Sequence, residues 1–198
     1  VTDDGGLSDA TDFVLTVNSV NDAPILTEIG NRITDEDTPL VLTLDATDVD
    51  EDNLTFSAVS QYPGNVAAEV TGNQLTLTPA EDWNGSVNIS VTVSDGELGD
   101  SEVFELTVTP VNDAPTIVLP ESITFAEDGS SVEDFTQYIG DIDEDELTLT
   151  VSGNENITVS IDGFEVTFGA VQDWNGTETL TFTVNDNQGR AIAEDNID

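Results

Sequence analysis

The chain has 198 residues, of which 42 are Asp or Glu and only 2 are Lys or Arg, a formal charge of -40, and it contains no Lys, His, Cys or Met. A polyanion of this kind does not bind nucleic acid through phosphate contacts and is repelled by anionic lipid surfaces. Thiol nucleophiles, imidazole bases, Schiff bases and soft-metal sites are excluded too, which leaves oxygen ligands, the kind that hold hard cations such as calcium.

High net charge often signals disorder, but here 37% of residues are hydrophobic and they alternate with polar ones. Leu75-Thr-Leu77-Thr, Val87-Asn-Ile89-Ser-Val91-Thr-Val93 and Leu180-Thr-Phe182-Thr-Val184 each present one apolar and one polar face, the period of a half-buried strand. Residues 1–20 open with Val1-Thr-Asp3-Asp-Gly5 and continue through Phe13–Val17. The pattern predicts strands near 25–33, 40–46, 54–59, 67–71, 74–79, 87–94 and 102–110. Turn signals separate them at 35–37, 48–53, Pro63-Gly64, Gly72-Asn73, Asn84-Gly85 and Asp95-Gly96. Short strands with a turn every ten residues or so read as an immunoglobulin-like sandwich. From 112 the same plan recurs, with an irregular second strand around Ser131–Ile139. No apolar run approaches the ~20 residues needed to span a bilayer.

The recurrence is a repeat. Val20-Asn21-Asp22-Ala23-Pro24 returns as Val111-Asn112-Asp113-Ala114-Pro115, a period of 112 less 21, or 91. Glu36-Asp37 returns at Glu127-Asp128, Asp82-Trp83-Asn84-Gly85 at Asp173-Trp174-Asn175-Gly176, and Asp95 at Asp186, all with that offset. Asp48-Val-Asp50-Glu-Asp52 returns at Asp141-Ile-Asp143-Glu-Asp145 with an offset of 93. Phe13–Val17 likewise matches Phe104–Val108, so residues 1–20 read as the last turn and strand of a preceding unit. The expected units are thus 1–20, a stub; 21–111, a first repeat; and 112–198, a second repeat whose last strand is cut short. Trp83 and Trp174, each beside an Asn-Gly turn, read as core plugs rather than sugar platforms.

These residues resemble bacterial cadherin-like tandem repeats, as found in calcium-dependent RTX-type surface adhesins. The resemblance rests on the Asn-Asp-Ala-Pro junctions, the Glu-Asp before the second strand, the Asp-x-Asp loop after it, Pro79-Ala-Glu-Asp-Trp-Asn-Gly85 and Val93-Ser-Asp-Gly96. It implies an all-β fold of tandem Greek-key immunoglobulin/cadherin-like β-sandwiches arranged end to end, with calcium between repeats. The implied junction ligands are Glu36, Asp37 and Asp82 of the first repeat, Asn112 and Asp113 of the linker, and Asp141, Asp143 and Asp186 of the second. Asp22, Asp48, Asp50 and Asp95 form an upstream half-site by the same logic, and Glu127, Asp128 and Asp173 a downstream one. The linker offers fewer acceptors than that of animal cadherins, which implies a smaller ion cluster. As EF-hands the Asp-x-Asp-x-Asp runs fail, since Asn53 and Glu146 stand where the loop needs Gly.

The function implied is a calcium-rigidified spacer of an extracellular, bacterial cell-surface adhesin supporting adhesion or biofilm formation. The alternative is a calcium-dependent binding module for self-association or polysaccharide. An enzyme is not expected, because the acids fall on repeated turns rather than in a cleft. Expected partners are the neighbouring repeats, with neither nucleic acid nor membrane insertion. Head-to-tail self-association is a further expectation: residues 12–17 of one molecule adding as a strand beside 178–185 of another.

Overall fold

A computed structural model of the chain describes residues 1, 4–6, 8, 10–189 and 192–197. It divides into two compact units, Val1–Thr109 and Pro110–Asp198, each a β-sandwich with its own core. Among the described residues no helix is long and apolar enough to cross a membrane.

The first unit is built from β1 (Ile25–Leu26), β2 (Arg32–Asp35), β3 (Leu40–Thr43), β4 (Ala46–Thr47), β5 (Thr55–Ser60), β6 (Val66–Thr71), β7 (Gln74–Pro79), β8 (Gly85–Ser94) and β9 (Gly99–Thr109). One sheet runs β2-β9-β8-β5, the facing sheet β3-β7-β6, and β1 pairs with β4. The alternation seen in the sequence sets the faces. Val87, Ile89, Val91 and Val93 of β8 point inward with Phe104, Leu106 and Val108 of β9, against Leu75 and Leu77 of β7. The intervening Asn88, Ser90 and Thr92 lie on the outer side, where water solvates them.

The expected first strand, 25–33, is two strands. β1 belongs with β4, and β2 crosses to lie parallel to β9, Arg32 beside Leu106 through Asp35 beside Thr109. The crossing segment cannot use a ladder, so carboxylates from β9 take its N–H groups. Asp100 Oδ2 accepts from Leu26 N at 2.9 Å, and Glu102 accepts from Ile29 N at 2.7 Å and Gly30 N at 2.8 Å. Gly30 sits at φ 67°, a left-handed turn that glycine makes without steric cost.

The second unit repeats the plan with β10 (Thr116–Ile117), β11 (Ser130–Asp134), β12 (Ile139–Gly140), β13 (Thr148–Ser152), β14 (Ile157–Asp162), β15 (Glu165–Ala170), β16 (Leu180–Asn185) and β17 (Ile192–Ile197). Its sheets are β11-β15-β14 and β13-β16-β17, with β10 on β12. The irregular second strand is real. A turn of 3-10 helix at Phe135–Gln137, capped by Asp134 on the Thr136 N–H, interrupts it between β11 and β12. The turn drives Phe135 into the core, 4.9 Å from Phe182 and 6.2 Å from Phe168 between ring centroids. Leu119 N finds Asp195 Oδ2 at 2.7 Å, so a carboxylate again anchors the first segment.

Two observations bear on the edges of the second unit and on the first residues of the chain. β17 pairs with all of β16, Leu180 beside Ile197 through Asn185 beside Ile192, so the edge along 180–185 already holds a strand. Residues 10–20 form no strand, and Phe13 is 84% exposed. Asp3, Asp9, Arg190 and Asp198 lie outside the described residues.

The Glu102 clamp yields a test. Glu102→Ala strands two N–H groups, and urea unfolding should show a loss of about 1–3 kcal/mol. Glu105→Ala, on the exposed face of the same strand, should change stability by less than about 0.5 kcal/mol.

Candidate cation sites at the ends of each unit

At one end of the first unit the chain enters beside the loop after β4 and the turn after β8. Asn21 Nδ2 donates to Asp95 Oδ2 at 2.9 Å, and Asp22 N to Asp50 Oδ2 at 2.8 Å. Asp48 Oδ1 accepts from Asp50 N at 2.9 Å and Asp52 N at 3.4 Å. The second unit reproduces this contact by contact. Asn112 Nδ2 donates to Asp186 Oδ2 at 2.8 Å, Asp113 N to Asp143 Oδ2 at 2.7 Å, and Asp143 N and Asp145 N to Asp141 Oδ1 at 2.9 and 3.4 Å.

Backbone conformation makes the convergence. Glu51 and Glu144, inside the two loops, sit at φ 62° and 60°, a left-handed state that costs an L-residue roughly 1–2 kcal/mol. The reversal folds each loop back on itself, so that Asp48, Asp50 and Asp52 offer oxygens within 4.8 Å of one another, as do Asp141, Asp143 and Asp145.

Opposite ends hold the second set. Asp37 and Asp82 adopt φ 56° and 53°, and Asp82 N donates to Asp37 Oδ1 at 3.2 Å. Glu36, 2% exposed, is fixed through its N–H on Thr109 O at 2.9 Å and takes Asn84 Nδ2 on Oε2 at 3.3 Å. Asp128 and Asp173 repeat the left-handed pair at φ 61° and 60°, with Asp173 N on Asp128 Oδ1 at 3.4 Å. Glu127 is exposed, unlike its counterpart Glu36.

Does the donor set suit a cation? Three buried side-chain oxygens lack a hydrogen-bond partner among the described residues: Asp48 Oδ2, Asp141 Oδ2 and Ser60 Oγ. Two of the three are thus the same carboxylate oxygen in the two repeats. An ionised oxygen shut away from water and hydrogen bonds is costly, and a bound cation is one of its standard resolutions. All the donors are hard oxygens, the set calcium prefers. The residues fit.

Two contributors were missed in the sequence. Asp52 and Asp145 are not among the expected ligands, yet each joins its loop's acidic trio. The signal was present as the third acid of each Asp-x-Asp-x-Asp run. Trp83 is a core plug as expected, half-buried against the first core.

Comparison with known proteins places these ends in context. Residues 20–109 match the family profile "Cadherin-like domain" and residues 112–197 that of "Bacterial Ig domain". No curated protein matches. Among solved structures, human protocadherin-24 EC1-2 aligns at 16% identity over 89% of this chain and 96% of its own, TM-score 0.54. Human CDH23 EC21-23 aligns at 17% identity over 91% and 65%, TM-score 0.53. An endo-fucoidan hydrolase of glycoside hydrolase family 107 shares 20% identity over 92% of this chain, which spans 29% of that enzyme, at TM-score 0.42. The chain is an all-β protein carrying a cadherin-like domain followed by an immunoglobulin-like one.

Electrostatics at the entrance ends can be tested by titration. The N–H groups of Leu98 and Glu97, then Asn21, hold the Asp95 carboxyl below its ordinary value of 3.8. Asn112, then the Gln188 N–H, does the same for Asp186, which is 1% exposed. Folded-state values below the unfolded one mean that these contacts contribute fully above the ordinary Asp value and are lost as pH falls through the lowered one. Carboxyl carbon shifts should therefore show both groups titrating below pH 3.8. Asn112→Ala should move the Asp186 midpoint upward and leave that of Asp95 in place.

Proposed function

We propose that the chain is a calcium-rigidified extender of a bacterial cell-surface or secreted adhesin of the RTX type, working outside the cell in adhesion or biofilm formation and without enzymatic activity. The observation that carries this reading is the recurrence of one unpartnered buried carboxylate oxygen, Asp48 Oδ2 and Asp141 Oδ2, in both domains. The cadherin-like and bacterial Ig profiles support an extracellular repeat module, and the absence of Cys suits domains locked by metal rather than disulfides.

Asp141 and Asp143, with Asn112, Asp113 and Asp186, would hold calcium in the second unit, and Asp48, Asp50, Asp22 and Asp95 in the first. Calcium, when bound, supplies charge neutralisation and a common ligand for loops that otherwise repel. From the phase of the sequence repeat we further propose that Glu36, Asp37 and Asp82 share the ion with the second set, through the linker at 112–113. Glu127, Asp128 and Asp173 would offer the same to a following repeat, and residues 1–20 would be the close of a preceding one. Strand addition by residues 12–17 to another copy is a secondary route to association, and it must compete with β17.

Each carboxylate has a role in this reading that needs no cleft. The protein's residues bind, orient and stiffen; nothing is transformed. An ion that binds only the aligned, folded state stabilises it by about 2.7 kcal/mol at a hundredfold excess over its dissociation constant.

Calorimetric titration of the chain with calcium should show saturable binding, and Asp141→Asn with Asp143→Asn should weaken it while circular dichroism stays that of an all-β fold. Unchanged affinity in that variant would overturn the ligand assignment. Small-angle scattering should show the maximum dimension shrinking or broadening when calcium is chelated; an identical profile would overturn the rigid junction.

A further inference from the structure

Both repeats contain Asp-Trp-Asn-Gly, and in both the glycine is fixed by the tryptophan. A β-carbon on Gly85 would lie 3.0 Å from Trp83 Cζ2, and one on Gly176 2.9 Å from Trp174 Cζ2. The indole is bulky and wedged, so neither position accepts a larger residue without moving it. The packing therefore builds an Asn-Gly peptide into each unit. Asn-Gly is the pair most open to attack by the backbone on the side-chain amide, because glycine places no side chain in the way and leaves the backbone free to rotate.

The two copies stand in different surroundings. Asn84 Nδ2 is held by Glu36 Oε2 at 3.3 Å, and Gly85 is the first rung of the long β8 ladder, in register with Val108. The second copy lacks both restraints. β16 begins only at Leu180, leaving Asn175-Gly176-Thr177 outside any strand. Asn175 and Asn84 are both exposed, but among the described residues Asn175 has no side-chain hydrogen bond like that of Asn84 to Glu36. It borders a cleft of about 410 Å³ lined by Ile123, Phe125, Glu127, Trp174 and Gly176, which gives the peptide room to turn and water a path to it.

We propose that Asn175-Gly176 is a site of spontaneous deamidation that its counterpart Asn84-Gly85 resists. The backbone nitrogen of Gly176 attacks Cγ of Asn175. The new N–Cγ bond closes a five-membered imide, and the Cγ–Nδ2 bond breaks to release ammonia, which carries away the amide proton. Water then opens the ring. Cleavage at Cγ gives aspartate, and cleavage at the main-chain carbonyl gives isoaspartate, with the peptide rerouted through the side chain. Neither oxidant nor catalyst is required. Either product adds a carboxylate beside Glu127, Asp128 and Asp173, so the acidic character of that end grows with the age of the molecule.

The rate of such a reaction in a folded protein follows the ease of local opening. Incubating the intact chain in warm, mildly alkaline buffer and mapping peptides by mass, with isoaspartate-specific methyl labelling, should show Asn175 converting at least roughly tenfold faster than Asn84. In urea, where both carry the same Asp-Trp-Asn-Gly sequence without structure, the rates should converge. Asn175→Gln should remove the fast phase and leave the slow one. Equal rates in the folded chain, a faster Asn84, or no conversion at Asn175 while the unfolded chain converts would each overturn the proposal.

Discussion

Carboxylates outnumber cationic side chains so heavily that they cannot be satisfied by ion pairs, and the fold spends them on backbone N–H groups instead. Asp100 and Glu102 grip the crossing between β1 and β2, Asp195 grips Leu119, and Asp48 and Asp141 close their loops. Glu178 shows the balance most clearly. Burial pushes its carboxyl up, yet the N–H groups of Glu155, Ile157 and Asn156 prevail and hold it below its ordinary value. Each such contact is a charge-assisted bond, stronger than its neutral equivalent. The arrangement converts an excess of charge into a scaffold. It leaves over the few oxygens that no N–H reaches, and those are found at the same place in each repeat.

Much of this was legible in the sequence because period-two alternation is insensitive to context: β7, β8 and β16 fall where Leu75, Val87–Val93 and Leu180–Val184 put them. The ends of the units were legible through repetition, since residues that return together at one offset, such as Asp82 and Glu36, tend to share one structural setting. What escaped has physical causes too. The split of the first strand depends on Glu102 and Asp100, which lie over seventy residues away, and no local pattern announces a long-range carboxylate clamp. The roles of Asp52 and Asp145 depend on left-handed Glu51 and Glu144, a conformation for which Glu has no preference. β17 was underestimated because its partner, β16, stabilises a strand that its own polar sequence does not favour.

The repeats also show how one motif acquires two behaviours. Asp-Trp-Asn-Gly, identical in letters, ends on the first rung of a ladder in one unit and lies in a turn outside any strand in the other. The left-handed Asp pairs at 37 and 82, and at 128 and 173, are conserved in conformation between the units. Glu36 is buried where Glu127 is exposed. Geometry dictated by the turn persists; geometry dictated by the neighbouring strand does not.

The parallel pairing of β2 with β9 has a mechanical meaning. β2 lies near the start of the first unit and β9 is its last strand, so a pull along the chain drags the two in opposite directions along their common axis. The hydrogen bonds from Arg32–Asp35 to Leu106–Thr109 are evenly spaced and bear that load side by side. Such a seam yields only when its rungs fail together, whereas bonds loaded at one end open in sequence like a zip. The short ribbon thus acts as a tensile lock between the early part of the domain and the strand by which the chain leaves it.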